Sequence, residues 1–291
     1  MLKIVKQLYI NKIEIAYICY TMDIAFSKYQ GTGNDFIIIN NIDGSYNELS
    51  IEQIQRLCDR KFGIGSDGLI LINTSDTSDF LMDFFNPDGS KSFCGNGARC
   101  AVQFVHEHKI IKNHEVYFDA IDGTHYALVC GADVKLEMAI ESIPAKVKLE
   151  SFNVGDVYYM DTGSPHLVVY ANDLSSLETS SVKKIGQEIR YSEAYEAQGI
   201  NVNFVYIKDS GDISIATYER GVENETLSCG TGATACALVH ALKEELKSGS
   251  INMNSKGGDL KVTFERQDTG IYTSVYLIGP ATSIYHGNIR L

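Results

Sequence analysis

A five-residue pattern, Cys-Gly-x-Gly-Ala, occurs twice in this 291-residue chain, as Cys94-Gly95-Asn96-Gly97-Ala98 and as Cys229-Gly230-Thr231-Gly232-Ala233. The copies lie 135 residues apart, close to half the chain length. Each follows a run of short strand-like segments and opens an apolar helical one. After Cys94, residues Ala98, Ala101, Val102 and Val105 fall at i, i+3, i+4 and i+7, the spacing of a helix face. After Gly232 the second helix is apolar nearly all round, so it demands burial on every side. Two such matches in equivalent contexts imply duplicated domains facing each other across a cleft. A chain of this length also suits two domains better than one.

The segments between the copies fit that plan. Ile24 to Asn40 reads as strand, Gly-rich turn and strand. A helix is predicted from Ser50, a good N-cap, with Ile51, Ile54 and Leu57 on one face. Strands follow through GLILIN and FLMDFF, the second ending in an Asn-Pro-Asp-Gly turn. Short strands run from Val116 to Ile140. In the second half, NVGDVYYMDTGSPHLVVY reads as strand, turn and strand, Val182 to Ile189 as a helix, and NVNFVYI and ISIATYERG as strands. Alternating strands close the chain from Leu260 to Tyr285. The boundary is expected near Pro144, giving residues 24–143 with 279–291 as one domain and 144–278 as the other. Residues 1–23 carry lysines and an apolar patch interrupted by Glu14, with no small-residue cleavage site, and read as an extension rather than a signal peptide or membrane helix.

Composition removes whole classes of function. The chain is 44% apolar and 21% charged, an ordinary globular balance. Asp and Glu outnumber Lys and Arg by 37 to 25, and the net charge of −12 repels a phosphate backbone, so no nucleic-acid partner is expected. No apolar run approaches the roughly 20 residues that span a bilayer. The seven cysteines are odd in number and include no C-x-x-C pair, which argues for reduced thiols in the cytoplasm and against a disulfide scaffold or zinc site. Five of them, Cys19, Cys58, Cys100, Cys130 and Cys236, read as inert core residues.

Cys94 and Cys229 are different because of where they stand. A thiol at a helix N-terminus meets unpaired backbone N–H groups and the positive end of the macrodipole. That setting is expected to lower its pKa from about 8.5 to between roughly 3.5 and 7.5. The same N–H groups bind carboxylates. Two such ends facing one another would grip one carboxylate and leave a sulfur on each side of its α-carbon. One thiolate then removes the α-proton while the opposing thiol returns another, and the centre inverts with no cofactor or metal. Amide donors aimed at the carboxylate oxygens would carry the charge of the carbanion. Because one sulfur must be charged and the other protonated, a bell-shaped pH profile is expected, belonging to the pair.

Several segments, FSKYQGTGNDF, FGIGSDG, FNPDGSKSFCGNGARC, GSPH and GVENETLSCGTGATA, resemble in order the signature segments of the diaminopimelate epimerase family, from about Phe26 to the C-terminus. The resemblance implies an α+β fold of two pseudo-symmetric domains, each a barrel-like mixed or antiparallel sheet around a central helix, and commonly a homodimer. It implies interconversion of LL- and meso-diaminopimelate without pyridoxal phosphate, for lysine and cell-wall precursor synthesis. By position, Cys229 would accept the proton and Cys94 donate it in the LL-to-meso direction. Gly95 and Asn96, with Gly230 and Thr231, match the segments whose backbone holds the reacting carboxylate. Asn34, Asn86 and Asn201 match substrate-contacting asparagines. Glu219 and Arg220 match the pair that grips the distal ammonium and carboxylate, and His166 would lie beside the reacting centre. Gly68 stands where many members carry a contacting glutamine, and Ser164 where many carry asparagine before Pro-His; a backbone or hydroxyl contact would replace each. Residues 1–23 have no counterpart in the pattern.

Two other readings of the same residues stay open at this level. A proline-racemase-like enzyme also uses a cysteine pair, although Glu219, Arg220 and the asparagines favour a substrate with a second amino-acid head. A non-catalytic thiol protein, acting as a redox switch or soft-metal binder, would use the same two sulfurs.

Overall fold

The computed structural model describes residues 22–149, 152, 154–208 and 211–291. Cys19 and nearly all of the N-terminal extension therefore lie outside the described residues. In the first half the order is β1 (Asp23–Gly31), β2 (Asn34–Asn40), α1 (Ile51–Cys58), β3 (Gly68–Asn73), β4 (Phe80–Phe85), α2 (Gly95–Glu107), β5 (Glu115–Ala120), β6 (Gly123–Cys130) and β7 (Asp133–Glu137). The second half runs β8 (Ala145–Val147), β9 (Val157–Asp161), β10 (Pro165–Tyr170), α3 (Thr179–Arg190), β11 (Asn201–Ile207), β12 (Ile213–Glu219), β13 (Asn224–Thr226), α4 (Gly230–Lys243), β14 (Ser248–Ser255), β15 (Gly258–Arg266), β16 (Tyr272–Pro280) and β17 (Thr282–Arg290).

The pairing repeats between halves. Antiparallel β1–β2 leads through α1 to β3, which lies parallel to β2. Antiparallel β3–β4 leads through α2 to β5, parallel to β4. In the same way β9–β10 passes through α3 to β11, and β11–β12 through α4 to β14. Parallel neighbours need a long crossover, and a helix is the usual one. Each Cys-Gly-x-Gly-Ala copy therefore opens the second crossover of its own half. The halves are sewn together where β16 pairs with β7 and β17 with β1.

Alternation along the strands explains the two helix layers. On β2, Phe36 and Ile38 face inward to α2, while Ile37 and Ile39 face outward to Ile54, Leu57 and Cys58 of α1. A strand covered on both faces needs a continuous apolar run, which Phe36-Ile37-Ile38-Ile39 supplies. Each fully buried Ile or Leu contributes about 1.5–3 kcal/mol. Helix α2 packs inside the first half, buried from Asn96 through Val105, and α4 inside the second, buried at Gly230 and from Gly232 through Ala241. The two pseudo-symmetric, barrel-like halves around central helices are thus the observed architecture.

Local signals hold at the expected places. Ser50 caps α1 with a reciprocal box, its hydroxyl accepting from the Gln53 amide while the Gln53 side chain accepts from the Ser50 amide. The Asn86 turn closes with Gly89 N donating to Asn86 O at 2.9 Å. β14 escapes the sequence reading because SGSINMNS shows only Ile251 and Met253 as apolar, and these two alone turn inward. Cys58, Cys100 and Cys236 are buried as expected, but Cys130 is exposed, because it ends β6 beside the Gly131 turn rather than facing the core.

Candidate active site

The two cysteines take up nearly the same backbone shape. Cys94 caps α2 with φ −136° and ψ 112°, and Cys229 caps α4 with φ −128° and ψ 113°. The helix starts meet through a hydrogen-bond network that crosses between the halves at Ser228. Asn96 Nδ2 donates to Asn34 Oδ1 at 2.5 Å and to the Ser228 carbonyl at 3.4 Å. Arg99 Nη2 donates to Thr32 Oγ1 at 3.0 Å, and that hydroxyl donates to Ser228 Oγ at 3.0 Å. Asn34 is held from its other side, donating to Asp67 Oδ2 at 3.1 Å, while Arg60 bridges Asp67 and Asp35.

On the α4 side, Gly232 N donates to Cys229 Sγ at 3.4 Å and Thr231 Oγ1 lies 3.5 Å from the same sulfur. The Ser164 hydroxyl sits between Thr231 and His166, at 3.2 and 2.9 Å. Asn201 receives the Arg220 amide on its oxygen at 2.9 Å and reaches Ser164 and the Pro165 carbonyl with its nitrogen.

Burial overrides the helix ends at both sulfurs, contrary to the sequence expectation. Desolvation pushes Cys94 up to about 11; the charge of Glu219 adds to it, and the Gly97 and Asn96 amides only partly oppose it. Cys229 is pushed up to about 12 by burial first and by the charge of Glu219 second, with Thr231 and the Gly232 amide opposing. The charge of Cys94 also acts on Cys229, so the sulfurs are electrostatic neighbours. Burial raises the Glu219 carboxyl, and the charge of Asp67 adds to the rise. Burial, then the charge of Arg220, takes His166 down to about 3, so the imidazole is neutral. Helix-end amides favour a thiolate, but withdrawing a thiolate from water costs more here than they return.

Glycine spacing in the second copy has a steric cause. A Cβ on Gly232 would lie 2.3 Å from Asn203 Oδ1, and one on Gly230 would lie 2.8 Å from Leu277 Cδ2. In the first copy, a Cβ on Gly97 would meet Ile70, Met82 and Phe36 at 3.4–3.5 Å, ordinary contact. Among the described residues, no group of three or more His, Cys, Asp or Glu could hold a metal ion.

Comparison with known proteins fits this geometry. The family model for diaminopimelate epimerase matches residues 26–139 and 158–284. A diaminopimelate epimerase of Flavobacterium psychrophilum is 44% identical over 264 residues, covering 90% of this chain and 98% of that protein. The chain belongs to the diaminopimelate epimerase family. A second member, from Chlorobaculum tepidum, is 40% identical over 90% of this chain and 99% of its own. The fold reaches further: a PhzF-family phenazine biosynthesis protein from Bacillus anthracis superposes with a TM-score of 0.72 at 12% identity, covering 92% of this chain and 99% of that one.

Placed against the family pattern, Asn34, Asn96, Ser164, His166, Asn201, Glu219, Gly230 and Thr231 cluster with Cys94 and Cys229 through the contacts above. Gly95 opens α2 directly after Cys94, open enough that a Cβ there would meet only Leu136, at 3.7 Å. Three positions behave differently. Asn86 spends its side-chain amide on Ser90 and Ser92 of its own turn. Arg220 is exposed and donates to the Gln198 carbonyl at 3.1 Å rather than pairing with Glu219, whose charge acts on the sulfurs. Gly68 is filled from outside, since a Cβ there would lie 2.3 Å from the Phe84 ring. Sequence reasoning passed over Thr32, Asp67, Arg99, Asn203, Thr217 and Ser228. Asn203 and Thr217 are polar residues inside apolar strands, a signal the sequence carries, but the register that pairs them is set only by the fold.

Alanine at the two equivalent glycines separates close approach from turn preference. Gly97→Ala is expected to leave stability within about 1 kcal/mol of the parent. Gly232→Ala is expected to cost about 3 kcal/mol or more, because Asn203 is buried and held from behind. Chemical denaturation of the two variants reads the contrast; equal losses would contradict the steric account.

Proposed function

We propose that this chain is an epimerase that interconverts LL-2,6-diaminopimelate and meso-diaminopimelate by transfer of a proton between two cysteines. The observation that carries the mechanism is the pairing of Cys94 and Cys229 at two equivalent, mutually facing helix starts, in a chain of this family. In the LL-to-meso direction, the Cys229 thiolate takes the α-proton and its electron pair remains on the α-carbon, delocalised into the carboxylate. The Cys94 thiol then gives its proton to the opposite face. The sulfurs end with their protonation exchanged, so the balance needs neither oxidant nor cofactor. Backbone amides of Gly95 and Asn96, and of Gly230 and Thr231, are the donors for the reacting carboxylate. Asn34 and Asn201 contact the substrate, and Asn86 does so on releasing Ser90 and Ser92, with Glu219 taking the distal ammonium and Arg220, on releasing the Gln198 carbonyl, the distal carboxylate. The neutral His166 serves as a hydrogen-bond partner rather than as a charge.

The same reading assigns residues 24–143 with 279–291 to one domain and 144–278 to the other, with the β7–β16 pairing as their seam. It places the protein in the cytoplasm, supported by the six free cysteines among the described residues. It makes the protein a homodimer built on β17, which among the described residues pairs only with β1 and leaves Ile284 and Tyr285 about half exposed. An open strand edge with exposed apolar side chains is a surface that a second copy covers.

The decisive test follows deuterium at the α-carbon of LL-diaminopimelate in heavy water, with metal and pyridoxal phosphate absent. The parent protein should exchange and epimerise, while folded Cys94→Ala and Cys229→Ala variants should not epimerise; normal turnover by either ends the two-cysteine mechanism. Since both thiols start above neutral pH, the thiolate fraction grows as pH rises, so kcat/KM should climb by up to about tenfold per unit from about pH 6 to pH 8. A flat or falling profile over that interval contradicts the assignment. Sedimentation should give a dimer for the parent and a monomer for Tyr285→Asp; a monomeric parent would remove β17 as an interface.

A further inference from the structure

We propose that Thr217, Asn203, His166, Ser164 and Thr231 form a one-way hydrogen-bond chain that ends on the Cys229 sulfur and favours its thiolate. The chain begins on β12, where Thr217 Oγ1 donates to Asn203 Oδ1 at 2.9 Å. Asn203 Nδ2 lies 3.0 Å from His166 Nδ1 and 3.0 Å from the Leu167 carbonyl. A carbonyl can only accept, so the Leu167 oxygen requires the amide NH2 on that side. Nδ1 of the neutral imidazole is then the acceptor, and the ring proton sits on Nε2.

His166 Nε2 stands 2.9 Å from Ser164 Oγ and donates to it. Asn201 Nδ2 also donates to Ser164 Oγ, at 3.4 Å. With two donors occupying its lone pairs, the Ser164 hydroxyl proton points at Thr231 Oγ1, 3.2 Å away. Thr231 in turn has its hydroxyl proton free for Cys229 Sγ at 3.5 Å, beside the Gly232 amide at 3.4 Å. The Leu167 carbonyl fixes the direction at Asn203 and His166, and the last link, between Thr231 and Cys229, donates toward the sulfur once that sulfur carries the charge. Water does not compete at the root of the chain, because His166 and Asn203 are 0% exposed and Thr217 is 3% exposed. Aligned bonds in a dry interior polarise one another, so the terminal hydroxyl is a stronger donor than an isolated one.

The other ionisable groups acting on this end are Glu219 of β12 and Cys94 of α2, which oppose a charge on Cys229, and Arg220, which acts on His166. Donors to the charged form are what offsets Glu219. Ser164 is the link between His166 and Thr231. These five are positioning residues, and the inference rests on the reading of Cys229 as a reacting sulfur.

The test is the pH dependence of iodoacetamide alkylation at Cys229 and Cys94, read by peptide mapping without substrate. Thr231→Val should slow Cys229 about tenfold at fixed pH and displace its profile upward by about one unit, leaving Cys94 within about twofold. Thr231→Ser should restore the parent profile, and Ser164→Ala should slow Cys229 by about threefold. A Thr231→Val profile that coincides with the parent overturns the chain, as does Thr231→Ser as slow as Thr231→Val, which would mean packing rather than hydrogen bonding. Should Thr231→Val fail to fold, Ser164→Ala with an unchanged Cys229 profile overturns it equally. Alkylation needs no turnover, so an active Cys229→Ala variant would defeat the catalytic reading while leaving this measurement intact.

Discussion

Everything at the cleft depends on how closely the two halves approach at one backbone contact. The turn between β1 and β2 brings the Thr32 carbonyl to where a side chain on residue 257 would stand, 1.9 Å from its ideal Cβ, and Gly257 N donates to the Leu227 carbonyl at 2.8 Å. Only a residue without Cβ permits that distance. Thr32 itself adopts φ 50°, and Gly33 follows with φ 92° and Leu227 against it. Through this contact Ser228 comes within reach of Thr32 and Asn96, and the start of α4 is set against the start of α2. The β7–β16 pairing joins the halves, but this turn decides how their helix ends face.

A tension between local and global electrostatics runs through the site. Each helix end offers amides and a positive pole, which by themselves favour an anion. The cleft withdraws the same sulfurs from water and adds the Glu219 carboxylate beside them. The second effect is larger for both thiols, so they rest protonated, and charge must be drawn onto one sulfur by directed donors. Arg99 sharpens the point: its guanidinium is fully buried, with Nε and Nη1 lacking partners, and desolvation lowers its pKa. Among the described residues no carboxylate pairs with this cation, which lies against Gly31, Gly230 and Gly279 at the junction of the two helix starts.

Much of the fold was legible because its signals are local or periodic. The Ser50 cap, the turn at Asn86, the apolar run of β2 and the all-round burial of α4 each follow from residues within one or two turns of chain. Strands with few apolar residues, such as β14, were not legible, since their pairing rather than their composition makes them strands. The cysteines and the asparagines at 34 and 201 stood out through repetition and resemblance. Asn203 and Thr217 did not, because their importance comes from facing each other across β11 and β12 and from Gly232 lying against the Asn203 amide. Cys130 shows the converse failure: a cysteine in an apolar strand looks buried until the strand end places it in solvent.

By itself the amino-acid sequence determined the duplicated plan, the two helix starts with a cysteine at each, and the family. These are properties of short segments, and short segments carry their own periodicity, caps and turn residues. Tertiary structure alone decided the ionisation of the sulfurs, the direction of the hydrogen bonds reaching Cys229 and the outward turn of Arg220 away from Glu219. Each of those depends on desolvation and on neighbours tens of residues distant, and neither is written in local spacing.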